Sequence, residues 1–530
     1  MKKITYIVIS LLLIVSYSYG QGEVEANQFS RNDLNGTARA ISMGGAFGAL
    51  GGDLTGVSIN PAGIAVYRSS EIAATAVFQN EKFKSGDISN TKNKFNFRNL
   101  GFVGYFPTRN PSIPVVNFGF SYNKIKSFDK EIGAYGANRG SSLMDYMSHV
   151  STEANNGAGV DPSIMEFDDN DKNYDPFMSD APWLSVLGYN SFLINPGKDA
   201  QGNFYTPLHN ETVSNTLSMS ERGSIDTYDF TVGTSINNVL NLGVSLSLTD
   251  IYYNLSSQNS EDFSTGVNAG FDLRNWVVSE GNGVGVKLGL IYRPVNEFRI
   301  GLAYQSPTWY SMTDRYSAEI EENVEQYVTV TDYKPGTTFS GEKRHDYDFK
   351  TPDKWTLSAA AVLSNSMILS VDYELSNYKN MKFSTSSDYY VSADTYNNDN
   401  AYIKEDFKVT STVRAGLEYR FSPQFSGRLG YAWMQNPYNS NFQKDGNAMT
   451  VGATTAYRME GDANYFTGGI GYRFNRYFYA DLAVVYKTQE DDLYSYSNVY
   501  NDVGETYIDA APYELKNNSI RGLLTIGYRF

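Results

Sequence analysis

Few side chains in this sequence are placed for reactive chemistry. It contains no cysteine and only 3 histidines, and His149, His209 and His345 stand far apart, so no spacing suits a zinc site. Neither a nucleophile elbow nor a phosphate-cradling glycine loop occurs, and the sequence implies no catalytic residue, no enzymatic activity and no cofactor. Oxygen ligands alternate at Asp169, Asp171, Asn173 and Asp175, with Asp180 where a calcium loop puts its last ligand. Tyr174 stands where such a loop turns on glycine, and Asp180 replaces the bidentate glutamate. The stretch 166–180 is thus open between a calcium loop and an acidic surface, and no metal is assigned. Lys287, Arg414, Arg420 and Arg428 lie on strand faces that would look into an enclosed space. There a cation either pairs with a neighbour such as Glu418 or meets the carboxylate of a ligand. Trp183, Leu184, Leu187 and Leu193 would form an apolar stripe on a short helix over Ala181–Leu193, with Asp180 as N-cap and Pro182 in the first turn. That stripe either packs on its own loop or offers a greasy groove to a ligand. A second helix is expected within Ser141–Ala154.

These residues hang on a β-framework. Some fourteen segments alternate apolar and polar side chains with period two, the pattern of a strand with one greasy and one wet face. In Leu240–Leu248 the leucines and Val244 face one way, while Asn241, Gly243, Ser245 and Ser247 face the other. The same alternation runs through Val115–Asn123, Val409–Phe421 and Ser519–Phe530. Connections between segments alternate long and short, as in an outer-membrane barrel with short periplasmic turns and long extracellular loops. The expected fold is therefore all-β: a transmembrane antiparallel barrel of about 14 strands with both termini periplasmic. Arginine is expected to be damaging at Val244, on the lipid side, and mild at Ser245, on the lumen side.

Composition agrees. Residues 1–20 combine Lys2-Lys3, an apolar run from Ile4 to Val15 and a small-residue end at Ser18-Tyr19-Gly20, the layout of a secretory signal peptide cut near Gly20. No other run is long and apolar enough for a membrane helix, and mean hydropathy is −0.39. Yet the chain carries 42 Tyr and 30 Phe, which suits aromatic girdles at the two membrane interfaces. A net charge of −15 excludes a nucleic-acid partner, because phosphate would be repelled.

The remaining signal is the stretch Gly36–Gly63, rich in Gly, Ala and Ser, which has the small side chains of a compact plug and ends at Asn60-Pro61, where the proline stops local structure. Its order of features (Gly36-x-Ala38, the Gly44-Gly45-Ala46 run, Asp53, then Asn60-Pro61-Ala62-Gly63) resembles the N-terminal hatch of the FadL-type transporters of the bacterial outer membrane. Gly301-Leu302-Ala303-Tyr304-Gln305-Ser306-Pro307 and Val413–Arg420 are similar to strands of that family. The final strand, closed by Phe530, resembles the signal read by outer-membrane assembly machinery. The resemblance implies a signal peptide at 1–20, a hatch at 21–68 and a barrel at 69–530, monomeric and embedded among outer-membrane lipids. It implies diffusive uptake of long-chain fatty acids or similar hydrophobic molecules, gated by hatch residues Gly44, Gly45, Asp53, Asn60, Pro61, Ala62 and Gly63. Ligand contacts would fall on Trp183, Leu184, Leu187, Leu193, Lys287, Arg414 and Arg428. The loop 128–222 departs from the family in its length and acidity. The alternative reading keeps the barrel but makes it a receptor or scaffold for exported proteins or haem-like ligands.

Overall fold

The computed structural model describes residues 22–530 apart from 168–170, 172–173, 210–211, 265–268, 325–334, 365, 387–394, 447 and 502–504. The signal-peptide expectation therefore lies outside the described residues, as do Asp169 and Asn173 of the calcium-like stretch. A closed antiparallel barrel of 14 strands forms the body. Its strands are β1 Glu71–Ser85, β2 Ile88–Asn110, β3 Ile113–Ser127 (continued by Lys130–Arg139), β4 Val213–Ile236, β5 Leu240–Phe263, β6 Gly270–Tyr292 and β7 Phe298–Gln305 with Trp309–Asn323. The circuit continues through β8 Lys343–Lys350 with Lys354–Leu363, β9 Met367–Asn377 with Lys382–Thr385, β10 Val409–Arg420, β11 Phe425–Met434, β12 Tyr457–Arg473, β13 Phe478–Tyr494 and β14 Tyr513–Arg529. Each strand pairs with its sequence neighbours, and β14 pairs back on β1, from Glu71 opposite Arg529 to Lys84 opposite Lys516. Closure leaves no sheet edge, which the hydrocarbon phase would not tolerate.

The alternation expected of the wall is present. Val244, Leu246 and Leu248 are exposed on the outside, whereas Asn241, Ser245 and Ser247 are buried in the lumen. Across the ladder Val232, Val244 and Leu288 lie side by side on the outer face, so the apolar band is continuous from strand to strand. The strands are nevertheless far longer than the alternation suggested. β4 and β5 each run 24 residues, whereas about 9–11 tilted residues cross a bilayer. Residues 80–93, expected to be a long connection between strands at 69–79 and 94–106, continue the ladder as a hairpin turning at Gly86-Asp87. Above the membrane both faces of a strand are wet, so the apolar period fades while the backbone ladder goes on. Interruptions have a simple cause: Pro307 and Pro352 sit opposite each other in β7 and β8, between the pairs Gln305–Lys354 and Trp309–Lys350, and neither can donate to the ladder.

Helices cap the outer end. α4 Leu143–Gly157 starts with Ser142 as N-cap, its side chain accepting from Met144 N, and α5 spans Trp183–Asn190. The N-cap of α5 is Pro182, without a side-chain cap bond, rather than the expected Asp180. Together with α6 Asn397–Asp406 and α7 Ser440–Asp445, they cover one large apolar core above the wall that includes Met147, Leu187, Ile320, Ile403 and Tyr457. The short turns, such as Asn237-Asn238 and Asn475-Arg476, lie at the opposite end. Single cysteines at Asn397 and Asn441 should therefore label with an impermeant maleimide on intact cells, whereas those at Asn238 and Asn475 should not. Labelling of both sets would overturn this orientation.

Candidate functional site in the barrel lumen

The lumen is filled by the chain ahead of β1. α1 Glu23–Ser30 lies at the outer end, where Asn27 Nδ2 donates to Tyr438 Oη at 2.9 Å and Met449 N donates to Glu23 at 2.9 Å. Burial pushes the Glu23 carboxyl up to about 8, with Asp406 and Asp399 of α6 adding to the effect; burial likewise raises Asp399 to about 7. Below α1 the chain descends along the wall. Arg31 pairs with Glu460 at 3.2 Å, Arg521 donates to Leu34 O at 3.0 Å, and Ala38 N donates to Thr525 Oγ1 at 2.7 Å. Two short helices follow, α2 Ala38–Ser42 and α3 Leu54–Ile59, then a 3-10 turn over Pro61–Val66.

The hatch residues named from sequence fall in this lower half. Gly44 and Gly45 take φ values of +66° and +77°, which glycine adopts without steric cost. The wall is moulded to them: a Cβ on Gly430 would lie 2.1 Å from Gly44 N, and one on Gly416 would lie 2.5 Å from Met43 O. Asp53 is internal to the segment, capping α3 through Thr55 N at 2.9 Å and accepting from Thr37 Oγ1 at 2.8 and 2.9 Å. Asn60 joins segment to wall. Its Nδ2 donates to Gly48 O at 2.7 Å and Leu290 O of β6 at 3.1 Å, and its Oδ1 accepts from Ala62 N at 3.1 Å. Pro61 opens the 3-10 turn and touches β5 where Gly243 has no side chain. Ala62 is fully buried, and Gly63 packs on Gly51.

The wall adds ties that sequence reading missed. Asp372 accepts from Phe47 N and Gly48 N at 3.0 and 2.9 Å, and Glu418 accepts from Arg39 at 3.0 and 3.2 Å. Hence the segment is held along its length by ion pairs and by many hydrogen bonds between side chains and backbone, rather than by a few.

The interior cations mostly have partners. Lys287 reaches both oxygens of Asp229 at 3.0 Å, Arg414 pairs with Glu374 at 2.8 Å, and Arg428 bridges Glu418 and Asp481 at 2.6 Å each. Arg420, by contrast, is exposed beside the Ser422–Gln424 turn, because β10 has left the lumen by that point. Around residues 29–36 the packing leaves a cavity of about 190 Å³, lined by Lys287, Arg414, Arg98, Lys354, Glu374 and many hydroxyl and amide side chains. Arg428 does not line it. Arg98 was legible in principle: the exposed residues of β2 shift phase between Phe97 and Leu100, and that slip turns Arg98 inward.

The α5 stripe is covered rather than open. Leu184, Leu187 and Leu193 are buried in the outer core, and Trp183 is half-buried, donating to Phe177 O at 3.0 Å and lying 5.1 Å from the Tyr316 ring. Among the described residues no open groove lies there, because α5 lays these side chains on α4 and the strand β7. Between α4 and β4 the chain exposes the large apolar side chains Phe167, Met178, Phe192 and Tyr205. In the calcium-like stretch, Asp175 is occupied capping a turn through Phe177 N, and no group of metal-ligating side chains occurs among the described residues.

A family model described as outer membrane protein transport protein (OMPP1/FadL/TodX) matches residues 215–529. No curated protein matches the sequence. Among solved structures, a FadL homologue from Pseudomonas aeruginosa is similar at 12% identity, covering 94% of this chain and 100% of its own, with a TM-score of 0.52; it shares the fold. The toluene transporter TbuX of Ralstonia pickettii aligns at 14% identity over 94% of this chain and 99% of its own, with a TM-score of 0.48.

Proposed function

The chain belongs to the OMPP1/FadL/TodX family of outer-membrane transport proteins, and from that premise we propose that it takes up long-chain fatty acids or similar hydrophobic molecules by hatch-gated diffusion. The family consists of outer-membrane barrels of Gram-negative bacteria that carry hydrophobic compounds and are channels, not enzymes. In our reading residues 1–20 are removed as a signal peptide, 21–68 act as the hatch and 69–530 as the barrel, delivered by assembly machinery that reads the Phe530 end and working as a monomer among outer-membrane lipids. Capture begins on the exposed side chains Phe167 and Met178, which flank buried Phe177. The cargo then displaces α5 from its packing on α4, which uncovers Trp183, Leu184, Leu187 and Leu193 on the way to Lys287 and Arg414.

The observation that carries the proposal is the Asn60 junction. One side chain holds the fold of the hatch through Gly48 and Ala62 and its attachment to the wall through Leu290, so a local change there couples hatch position to the lumen. Neutral hydrogen bonds of this kind contribute about 1 kcal/mol each, which shifts a two-state population several-fold. In cells expressing Asn60→Ala, with barrel assembly verified by heat-modifiable gel mobility, uptake of labelled dodecanoate should change at least twofold relative to the native protein. Deletion of Gly36–Asp53 should raise the passage of small polar solutes. Native uptake by fully assembled Asn60→Ala, together with no leak in the deletion, would refute hatch gating.

A further inference from the structure

Strand β2 carries a bulge where its pairing with β1 slips, from Thr75 opposite Asn99 to Ala76 opposite Phe97. Arg98 is the extra residue. A bulge re-aims side chains that strict alternation would send elsewhere, and here Arg98 and Asn99 both turn into the lumen, with exposures of 2% and 1%. The guanidinium donates through Nη2 to Gln79 Oε1 at 3.0 Å. Among the described residues its Nε and Nη1 have no hydrogen-bond partner and no carboxylate comes within ion-pair distance of it; Asp33 lines the same cavity without reaching it. A buried charge with two idle donors is costly. Its planar fork is shaped for a carboxylate.

The surroundings favour a polar guest at this point. Arg98 opens on the cavity of about 190 Å³, whose wall beside it carries Asn123, Thr227 and Lys124. Lys124 Nζ is only loosely held, 3.2 Å from Ser224 Oγ and 3.9 Å from Asp226, so it can swing as a second cation. Across the cavity Arg414 Nη1 also has no partner among the described residues, beside the bond of Nη2 to Glu374.

We propose that this cavity is an oxyanion site in which Arg98 grips a carboxylate, so that the preferred cargo is an acid whose polar end enters the lumen rather than a neutral hydrocarbon. The proposal rests on the reading that cargo traverses the lumen. A free hydroxy acid and the head of an acyl acid share the required chemistry, and the test separates them.

Purified full-length protein in detergent is titrated with dodecanoate, gluconate and dodecanol, read by calorimetry and by thermal unfolding. At least one acid should bind the native protein and raise its melting temperature, as any ligand of the folded state does. Arg98→Met should weaken acid binding at least tenfold and leave dodecanol binding unchanged. Because methionine removes the unpartnered charge, Arg98→Met without acid should melt no lower than the native protein. Binding of dodecanoate alone assigns the site to an amphiphile's head, and binding of gluconate as well assigns it to carboxylates in general. Acid binding unchanged in Arg98→Met, or no acid bound by the native protein, overturns the proposal. If Arg98→Met does not assemble, Arg98→Lys, which keeps the charge and loses the fork, is read by the same titration, and equal affinity for the acid then overturns it. Toluene uptake by cells carrying the native protein keeps the two readings apart: uptake present while no acid binds overturns the oxyanion site alone, whereas failure to take up any hydrophobic probe counts against transport itself.

Discussion

Gly430→Val is expected to make the barrel leak small polar solutes while leaving it closed as a barrel. A Cβ at this position would stand 2.1 Å from Gly44 N and 2.3 Å from the Met43 carbonyl carbon, both backbone atoms of the lumen segment. Neither can swing aside as a side-chain tip would. The segment cannot retreat locally either, because Gly44 is itself seated against Tyr431 O, 2.5 Å from where its own Cβ would be. Overpacking of this kind costs roughly 1–3 kcal/mol, occasionally more, as much as one or more of the ties that hold the segment nearby, such as Gly44 N to Thr467 Oγ1 at 3.0 Å. The lower half of the segment should therefore leave its groove while the barrel ladder on either side persists. Gly522→Val is the control, since a Cβ at Gly522 meets nothing within 4 Å. Swelling of proteoliposomes in arabinose measures the leak. Tight liposomes with fully assembled Gly430→Val would show that the wall and segment are not matched as described.

The second large effect is on the outer face. Val244→Arg should destabilise the barrel by roughly 2–4 kcal/mol, the cost of a charge at the bilayer midplane, because Val244 is 46% exposed in the middle of an apolar row with Val232 and Leu288. Urea unfolding from lipid vesicles reads it, with Val244→Ile as the mild control. Equal unfolding midpoints for the two variants would mean that Val244 does not meet lipid. The sequence alone suggested Ser245→Arg as the lenient comparison, and the structure rules that out. Ser245 is 1% exposed, accepts from Thr231 Oγ1 at 2.9 Å and lies opposite Lys287, so arginine there would be overpacked beside a like charge.

That contrast shows where sequence reading succeeded and where it ran out. Lipid on one side and a wet lumen on the other impose period two, and every barrel strand was therefore legible at its membrane-crossing part. Outside the bilayer the constraint lapses, and the hairpin of β1 and β2 looked like a loop. The glycines of Gly36–Gly63 announced a compact segment. Their partners on the wall, Gly416, Gly430, Gly289 and Gly243, did not announce themselves, since a glycine on a lumen face reads the same whether it borders water or backbone. The pairing of Lys287 with Asp229 joins residues 58 apart, and Arg39 with Glu418 joins residues 379 apart, distances at which single-sequence pattern carries no information. Trp183, Leu184, Leu187 and Leu193 were recognised as one stripe, but only the cap above the wall determines that the stripe is covered. Arg98 was marked by the phase slip at Phe97 and Leu100, a signal visible only once the direction of each strand face is known.

The seam between β1 and β14 bears on how the molecule is built. Arg529 and Glu71, which pair across it, are 458 positions apart, so bringing its two sides together carries about 5 kcal/mol of loop-closure entropy from the logarithmic term alone. Contacts this distant form slowly. The lumen segment is attached at the same seam, through Ser70 and Phe530, which exchange backbone bonds at 3.1 and 3.0 Å, and it touches walls on all sides. The segment is fitted closely there, backbone against wall glycines such as Gly243, Gly289 and Gly430. Docking of the last strand on the first therefore fastens the wall and the start of the lumen segment at the same place.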